Sequence, residues 1–131
     1  REAQADRRAG RYAAALAKHV WFHQNELCNA VRPSFALTDW RELANVYPPA
    51  LQKLKEFRDQ AKDNLLNGNN VTHSFSDFER INRKLDEAQL SVELFLWLDK
   101  HRPELARKCY IYAESPLIRA GEYQVCGKYI D

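Results

Sequence analysis

Phe75-Ser76-Asp77-Phe78-Glu79-Arg80-Ile81-Asn82-Arg83-Lys84-Leu85 carries the pattern of an α-helix in its spacing alone. Phe78, Ile81 and Leu85 follow one another at three- and four-residue steps, which lines one face of a helix and would scatter over both faces of a strand. Ser76 and Glu79 stand at the spacing that lets each side chain reach the other's backbone N–H. That pair predicts a helix start at Ser76, with Phe75 as an apolar staple just outside it.

The same steps run outward in both directions. Leu51, Leu54, Phe57, Ala61 and Leu65 predict a helix opened by Pro48-Pro49, whose missing N–H groups cost nothing in a first turn. Gly68 in Asn67-Gly68-Asn69-Asn70 ends it. Beyond Asp86 the phase changes, and Leu94, Phe95 and Leu98 predict a second helix ending near His101. Pro103 opens another through Leu105, Ala106, Cys109, Tyr110, Ala113 and Leu117, with Pro116 expected to kink or break it. Gly121 marks a tight turn before a last helical stretch from Tyr123 to Ile130. Towards the N-terminus, Arg11 to Cys28 predicts a helix with Tyr12, Leu16, Val20 and Leu27 on one face. Asn29 to Leu37 reads as a connection, and Asp39 with Glu42 as the cap of a short helix ending at Tyr47, ahead of Pro48. The expectation is an all-α chain of about seven helices joined by short loops, with no strand.

Composition narrows the function classes. The chain has 131 residues and is 45% hydrophobic and 29% charged. That balance suits one soluble core-forming domain spanning the whole chain, 1–131. The net charge of +2 is too small to point to nucleic acid or to a membrane surface, and neither is expected as a partner. Leu94-Phe95-Leu96-Trp97-Leu98 falls far short of the roughly 20 apolar residues a membrane helix needs. Cys28, Cys109 and Cys126 are an odd number at wide spacings, which fits reduced, buried thiols in a cytoplasmic protein. The absence of methionine, even at position 1, suggests a piece of a longer chain.

A weak period runs through the helices. Trp40, Phe75 and Tyr110 are 35 residues apart, twice in succession. Three residues after each come Leu43, Phe78 and Ala113; seven after each come Tyr47, Asn82 and Leu117. Trp40-x2-Leu43-Ala44-x2-Tyr47 resembles the opening of the first helix of the tetratricopeptide repeat. Units of that repeat pair two antiparallel helices over about 34 residues. Gly10-Arg11-Tyr12-x2-Ala15 and Gly121-Glu122-Tyr123-x2-Cys126 resemble that repeat's turn and the start of its second helix. The chain departs from the family where Pro48-Pro49 interrupts the unit with the good first half. It departs again where Gly68 stands in place of the closing Pro that Pro103 supplies one unit later.

The resemblance implies antiparallel helical hairpins stacked as a right-handed superhelix, a scaffold that binds another protein or a peptide and catalyses nothing itself. The family's groove is lined by the first helix of each pair, and the lining positions here hold Arg41, Asn45, Arg80, Arg83, Lys84 and Arg119. Arg41 and Asn45, one turn apart, look like the family's carboxylate-gripping pair with Arg in place of the usual Lys. Exposed terminal helix faces also make a homodimer an expected partner arrangement.

An alternative rests on the residues alone. His19, His23 and Glu26 recur at helical steps and present two imidazoles and a carboxylate to one side, as a metal-binding helical protein or enzyme would. No HExxH or ExxH pattern accompanies them, the serines lack a GxSxG setting, and the glycines are too scattered for a phosphate loop. No catalytic, cofactor-binding or metal residue is assigned, and no cofactor is expected.

Overall fold

The computed structural model describes residues 2–24 and 34–130. All described regular structure is helical: α1 (Glu2–Arg8), α2 (Tyr12–Gln24), α3 (Ser34–Val46), α4 (Pro48–Leu66), α5 (Val71–Lys84), α6 (Ala88–His101), α7 (Pro103–Arg119) and α8 (Tyr123–Tyr129). The chain forms two compact units, residues 1–56 and 57–131. The all-α expectation holds, with eight helices among the described residues. The extra one is α1, whose polar, Arg-rich sequence carries no apolar period to announce it.

Chain reversal is accomplished by one device used four times. At Gly10, Gly68, Asp86 and Gly121 the backbone enters the left-handed region, with φ of 81°, 78°, 58° and 80°. Each of these residues donates its N–H to the carbonyl three back, and its successor donates to the carbonyl five before itself. These are the paired bonds that close a helix C-terminus. After α7 they are Gly121 N to Ile118 O at 3.0 Å and Glu122 N to Leu117 O at 2.9 Å. After α5 they are Asp86 N to Arg83 O at 3.2 Å and Glu87 N to Asn82 O at 2.8 Å.

In the first unit α1 and α2 form a hairpin about Gly10, and α3 packs against both. Two contacts tie α3 to α1: Gln4 donates to Asp39 at 3.2 Å, and Arg7 pairs with Glu42 at 2.8 Å. Asp39 therefore lies within α3 rather than capping it, because the helix begins at Ser34, inside the segment expected to be a connection. The helix expected to end at Tyr47 does stop there, at Val46, ahead of Pro48. Face assignment in α2 also differs from the periodicity. Ala15 and His19 are buried, while Leu16 and Val20 are only half-buried. The reason is that α2 is apolar nearly all round, so the pattern does not choose a side. Leu27 and the end of the expected 11–28 helix lie outside the described residues.

The second unit has the larger core. Phe75, Phe95, Leu98, Cys109 and Leu117 are fully buried, and Phe95 meets Phe75, Tyr110 and Tyr129 at centroid distances of 6.4, 6.1 and 5.4 Å. Such tilted and edge-on ring pairs add about 0.5–1.5 kcal/mol each beyond their burial. α7 packs against both α5 and α6, and α8 folds back on α7. The helix begun by Phe75 in the sequence starts earlier, at Val71, so Ser76 and Glu79 are buried inside α5 and form no capping box. Starting there places Val71 in the core, and Ser74 Oγ instead donates to Asn69 O at 3.1 Å. Pro116 does not end α7: it lies in the penultimate turn, is buried, and its carbonyl still accepts Ala120 N at 3.0 Å.

One polar network crosses this unit. Asn82, with no exposed surface, donates to Ser91 Oγ at 3.0 Å and accepts from Arg58 at 3.5 Å. Arg58 also pairs with Glu87 at 2.6 Å. Every helix from α4 to α6 thus contributes to one satisfied buried cluster, which fixes register because any slip leaves a buried amide unpaired.

The turn geometry makes a paired prediction. No atom lies within 4 Å of a Cβ added at Gly121. Gly121→Ala therefore costs only its left-handed backbone, about 1 kcal/mol. Asp86→Gly relieves the same strain and should raise stability by about 0.5 kcal/mol, net of the added unfolded-state freedom. Urea denaturation followed by circular dichroism measures both; opposite signs are expected.

Candidate functional site

The residues expected to line a groove sit on alternate helices. Arg41 and Asn45 are on α3, Arg80, Arg83 and Lys84 on α5, and Arg119 at the end of α7. Trp40, Phe75 and Tyr110, the anchors of the sequence period, fall on these same three helices and are all buried.

In the first unit Arg41 Nη1 donates to Asn45 Oδ1 at 2.5 Å. The amide carbonyl thereby orients the guanidinium, and the amide NH2 of Asn45 keeps its donors beside it. The two side chains expected to act together are placed together.

In the second unit α5 turns its core stripe of Val71, Phe75, Phe78 and Asn82 inward. That puts His73, Asp77, Arg80 and Lys84 on the opposite side at i, i+4, i+7 and i+11. Arg80 and Lys84 are half-buried, and Arg83 is exposed and pairs with Glu79 at 3.6 Å. Arg119 is exposed and donates to Ser115 Oγ at 2.9 Å. α5 is fixed to α7 by Thr72 Oγ1 donating to Lys108 O at 3.0 Å. The short reversals after α5 and α6 make α5 and α7 run in the same direction, so Arg80, Lys84 and Arg119 lie towards the same end of the pair. Acids stand on the same helix: Asp77 lies 3.8 Å from His73 and Glu79 beside Arg83.

His19 and His23 have a different surrounding. His19 stacks on Trp40 with ring centroids 5.5 Å apart and planes at 15°, and His23 meets the same indole edge-on at 6.0 Å. The Trp40 indole N–H donates to Ala50 O at 3.0 Å, so this ring is pinned between α2, α3 and the start of α4. Burial holds the His19 imidazolium down to about 4 from 6.5, an effect that the Asp39 charge partly offsets and that Arg7 reinforces. Glu26, the third member of the expected metal set, lies outside the described residues. Among the described residues no three His, Cys, Asp or Glu side chains converge on a metal-sized site.

Cys109 and Cys126 are buried free thiols, and Cys28 lies outside the described residues. Burial pushes the Cys109 thiol up to about 12, so it carries no nucleophilic thiolate at neutral pH. Tyr129 donates to Asp99 at 2.5 Å and, together with Lys128, holds that carboxyl below the usual carboxylate range. Around them Tyr129 stacks on Tyr110 at 5.6 Å, and Arg107 lies 5.4 Å from the Tyr129 ring. The stack and the cation over the Tyr129 ring fasten α8 to the core. No described helix is long and apolar enough to cross a membrane.

A concavity that the sequence did not signal lies on the other side of the second unit. α4 and α6 flank a cleft of about 510 Å³ floored by Phe78 of α5. Its residues on α6 recur at i, i+3, i+4 and i+7, a pattern indistinguishable in sequence from an ordinary core stripe.

No protein-family model, curated protein or solved structure matches this chain. The functional reading therefore rests on its own geometry.

The buried His19 makes stability pH-dependent in a definite direction. The unfolded chain takes up a proton there below about pH 6.5, the folded chain only near pH 4. Stability is therefore full above 6.5 and falls as pH drops between those values. The loss should be on the order of 2 kcal/mol, allowing for residual solvent contact. Urea midpoints at pH 7 and 4.5 measure it, and His19→Phe, which keeps a ring on Trp40, should flatten the slope.

Proposed function

We propose that this chain is a tetratricopeptide-like interaction module that binds a peptide or a partner protein and supplies no catalytic groups of its own. The observation that carries the reading is the coincidence of period and architecture: Trp40, Phe75 and Tyr110, equally spaced in sequence, occupy every second helix. Within the units α3 packs on both α1 and α2, and α7 on both α5 and α6, which supports this reading. A small buried residue five after the turn residue, Ala15, Ser91 and Cys126, lets the second helix of each pair approach closely. On this reading the ligand-gripping residues are Arg41 and Asn45 in the first unit and Arg80, Arg83, Lys84 and Arg119 in the second. Guanidinium donors beside an amide suit a peptide carboxylate. The buried free thiols fit a reducing compartment, which supports a cytoplasmic setting.

The same packing gives His19 and His23 a structural role without a metal, since both rings pack on the buried Trp40 indole.

A peptide library with free C-terminal carboxylates, screened beside its amidated counterpart, tests the proposal. The carboxylate peptides should be selected, and Arg41→Ala and Arg80→Ala should each weaken the selected peptide by about tenfold while leaving circular dichroism unchanged. Equal binding of the amidated library, or full binding by both variants, would overturn the assignment.

A further inference from the structure

We propose that the cleft between α4 and α6 is a second binding site, one that takes an amphipathic helix with an acidic edge and a basic edge. It lies outside the α3, α5 and α7 faces invoked above and does not depend on them.

The cleft has the build of a helix-receiving groove. Arg58, Lys62 and Leu66 recur along α4 at four-residue steps, and Leu90, Leu94 and Trp97 along α6 at a four- and a three-residue step. Both walls are secured from behind. Arg58 pairs with Glu87 across one end of the groove, and the Asn82–Ser91 bond clamps α5 to α6 beneath it. At the other end Trp97 stands 44% exposed, yet its ring is not loose. It stacks on His101 at 4.6 Å, and the His101 Nδ1 lies 3.0 Å from Trp97's own carbonyl. A large aromatic group held rigid at the rim of an apolar trough binds with little further loss of conformational entropy, which is what marks anchoring residues at interfaces.

Charge selects the occupant. Lys62 on the α4 wall and Glu93 on the α6 wall both line the cleft, and neither bonds to another side chain among the described residues, whereas Asp59, the acid on the α4 wall, is paired with Arg58 at 3.3 Å. Opposite signs on opposite walls reject a ligand flanked by one sign only. They accept an apolar stripe, at i, i+3 or i+4, and i+7, with acidic groups along the edge beside Lys62 and basic groups along the edge beside Glu93. The mixed rim also argues against nucleic acid, which would need both walls basic.

Three synthetic 14-residue helical peptides with the same Leu stripe test this. One carries Glu on one edge and Lys on the other, one carries Glu on both, and one carries Lys on both. By fluorescence anisotropy the native protein should bind the mixed peptide about tenfold more tightly than either uniform one. Lys62→Glu should shift the preference to the Lys-edged peptide, and Glu93→Lys to the Glu-edged peptide. Trp97→Ala, an exposed position where folding is not at stake, should weaken all three about tenfold, whereas Arg80→Ala should change none. Failure of the mixed peptide to bind at millimolar concentration overturns the proposal, as does a preference that ignores both charge reversals. Loss of binding in Arg80→Ala but not in Trp97→Ala would move the site to the α5 face. A self-association seen by sedimentation and abolished by Trp97→Ala would make a second copy the occupant and overturn it equally.

Discussion

A helix can reverse onto its predecessor within two or three residues only if one of them leaves the right-handed region, and the architecture of this chain depends on that constraint. The left-handed residue at Gly10, Gly68, Asp86 and Gly121 lets two consecutive N–H groups satisfy two of the last carbonyls of the finished helix, so these reversals bury fewer orphaned backbone groups. Gly10, Gly68 and Gly121 adopt this conformation without a Cβ to object. Asp86 adopts it at a steric cost that it meets because Asp, with Asn, is among the few residues that enter this region routinely. Glu87, the next residue, then supplies the carboxylate that Arg58 takes up. The reversals at Gly10 and Asp86 keep α2 beside α1 and α6 beside α5, which leaves the following helix a two-helix surface to cover. α3 covers α1 and α2, and α7 covers α5 and α6.

Much of this was legible in the sequence, and the exceptions have physical causes. α4, α6 and α7 carry strong apolar periods bounded by Pro or Gly, and their limits were readable within a few residues. Helix starts proved less readable, since Ser76-x2-Glu79 and Asp39-x2-Glu42 have capping spacing yet lie inside α5 and α3. A capping pair is a local preference of about 1 kcal/mol, and burying Val71 one turn upstream outweighs it. α2 misled in another way: apolar on nearly every side, it gives no phase from which to choose its buried face. α1 gave no signal because it is held largely by ion pairs, Arg7 with Glu42 and Asp6 with both Arg11 and Lys18.

The residues expected to line a groove followed the same rule. The period placed Arg41, Asn45, Arg80, Arg83, Lys84 and Arg119 on the three alternate helices, because periodicity reports which helix and which side. It could not report that Arg41 and Asn45 bond to each other, nor that Arg83 stands beside Glu79, because those depend on rotamers. The α4–α6 cleft was invisible for a different reason. Whether Leu90, Leu94 and Trp97 face a neighbour or a void is decided by how far α4 stands away, and no residue of α6 encodes that distance.

The small residues that follow the turns differ in what they offer the neighbouring helix. Ala15, Ser91 and Cys126 occupy the same place, five residues after their turns, and all three are buried. Steric need alone would accept Ala in every case. Ser91 instead offers its hydroxyl to Asn82, which lies seven residues after Phe75, where the next unit has the apolar Leu117. The amide and hydroxyl satisfy each other only in the α5–α6 pair; Asn82 opposite an Ala or a Cys would be a buried amide short of a partner, at a cost of about 1–3 kcal/mol. The α5–α6 hairpin thus carries a polar match that Ala15 and Cys126 cannot offer, which penalises pairing of α5 with a different second helix. An array of identical units has no such protection, because every first helix fits every second one. The Asn82–Ser91 pair is therefore what makes α5 and α6 in particular recognise each other.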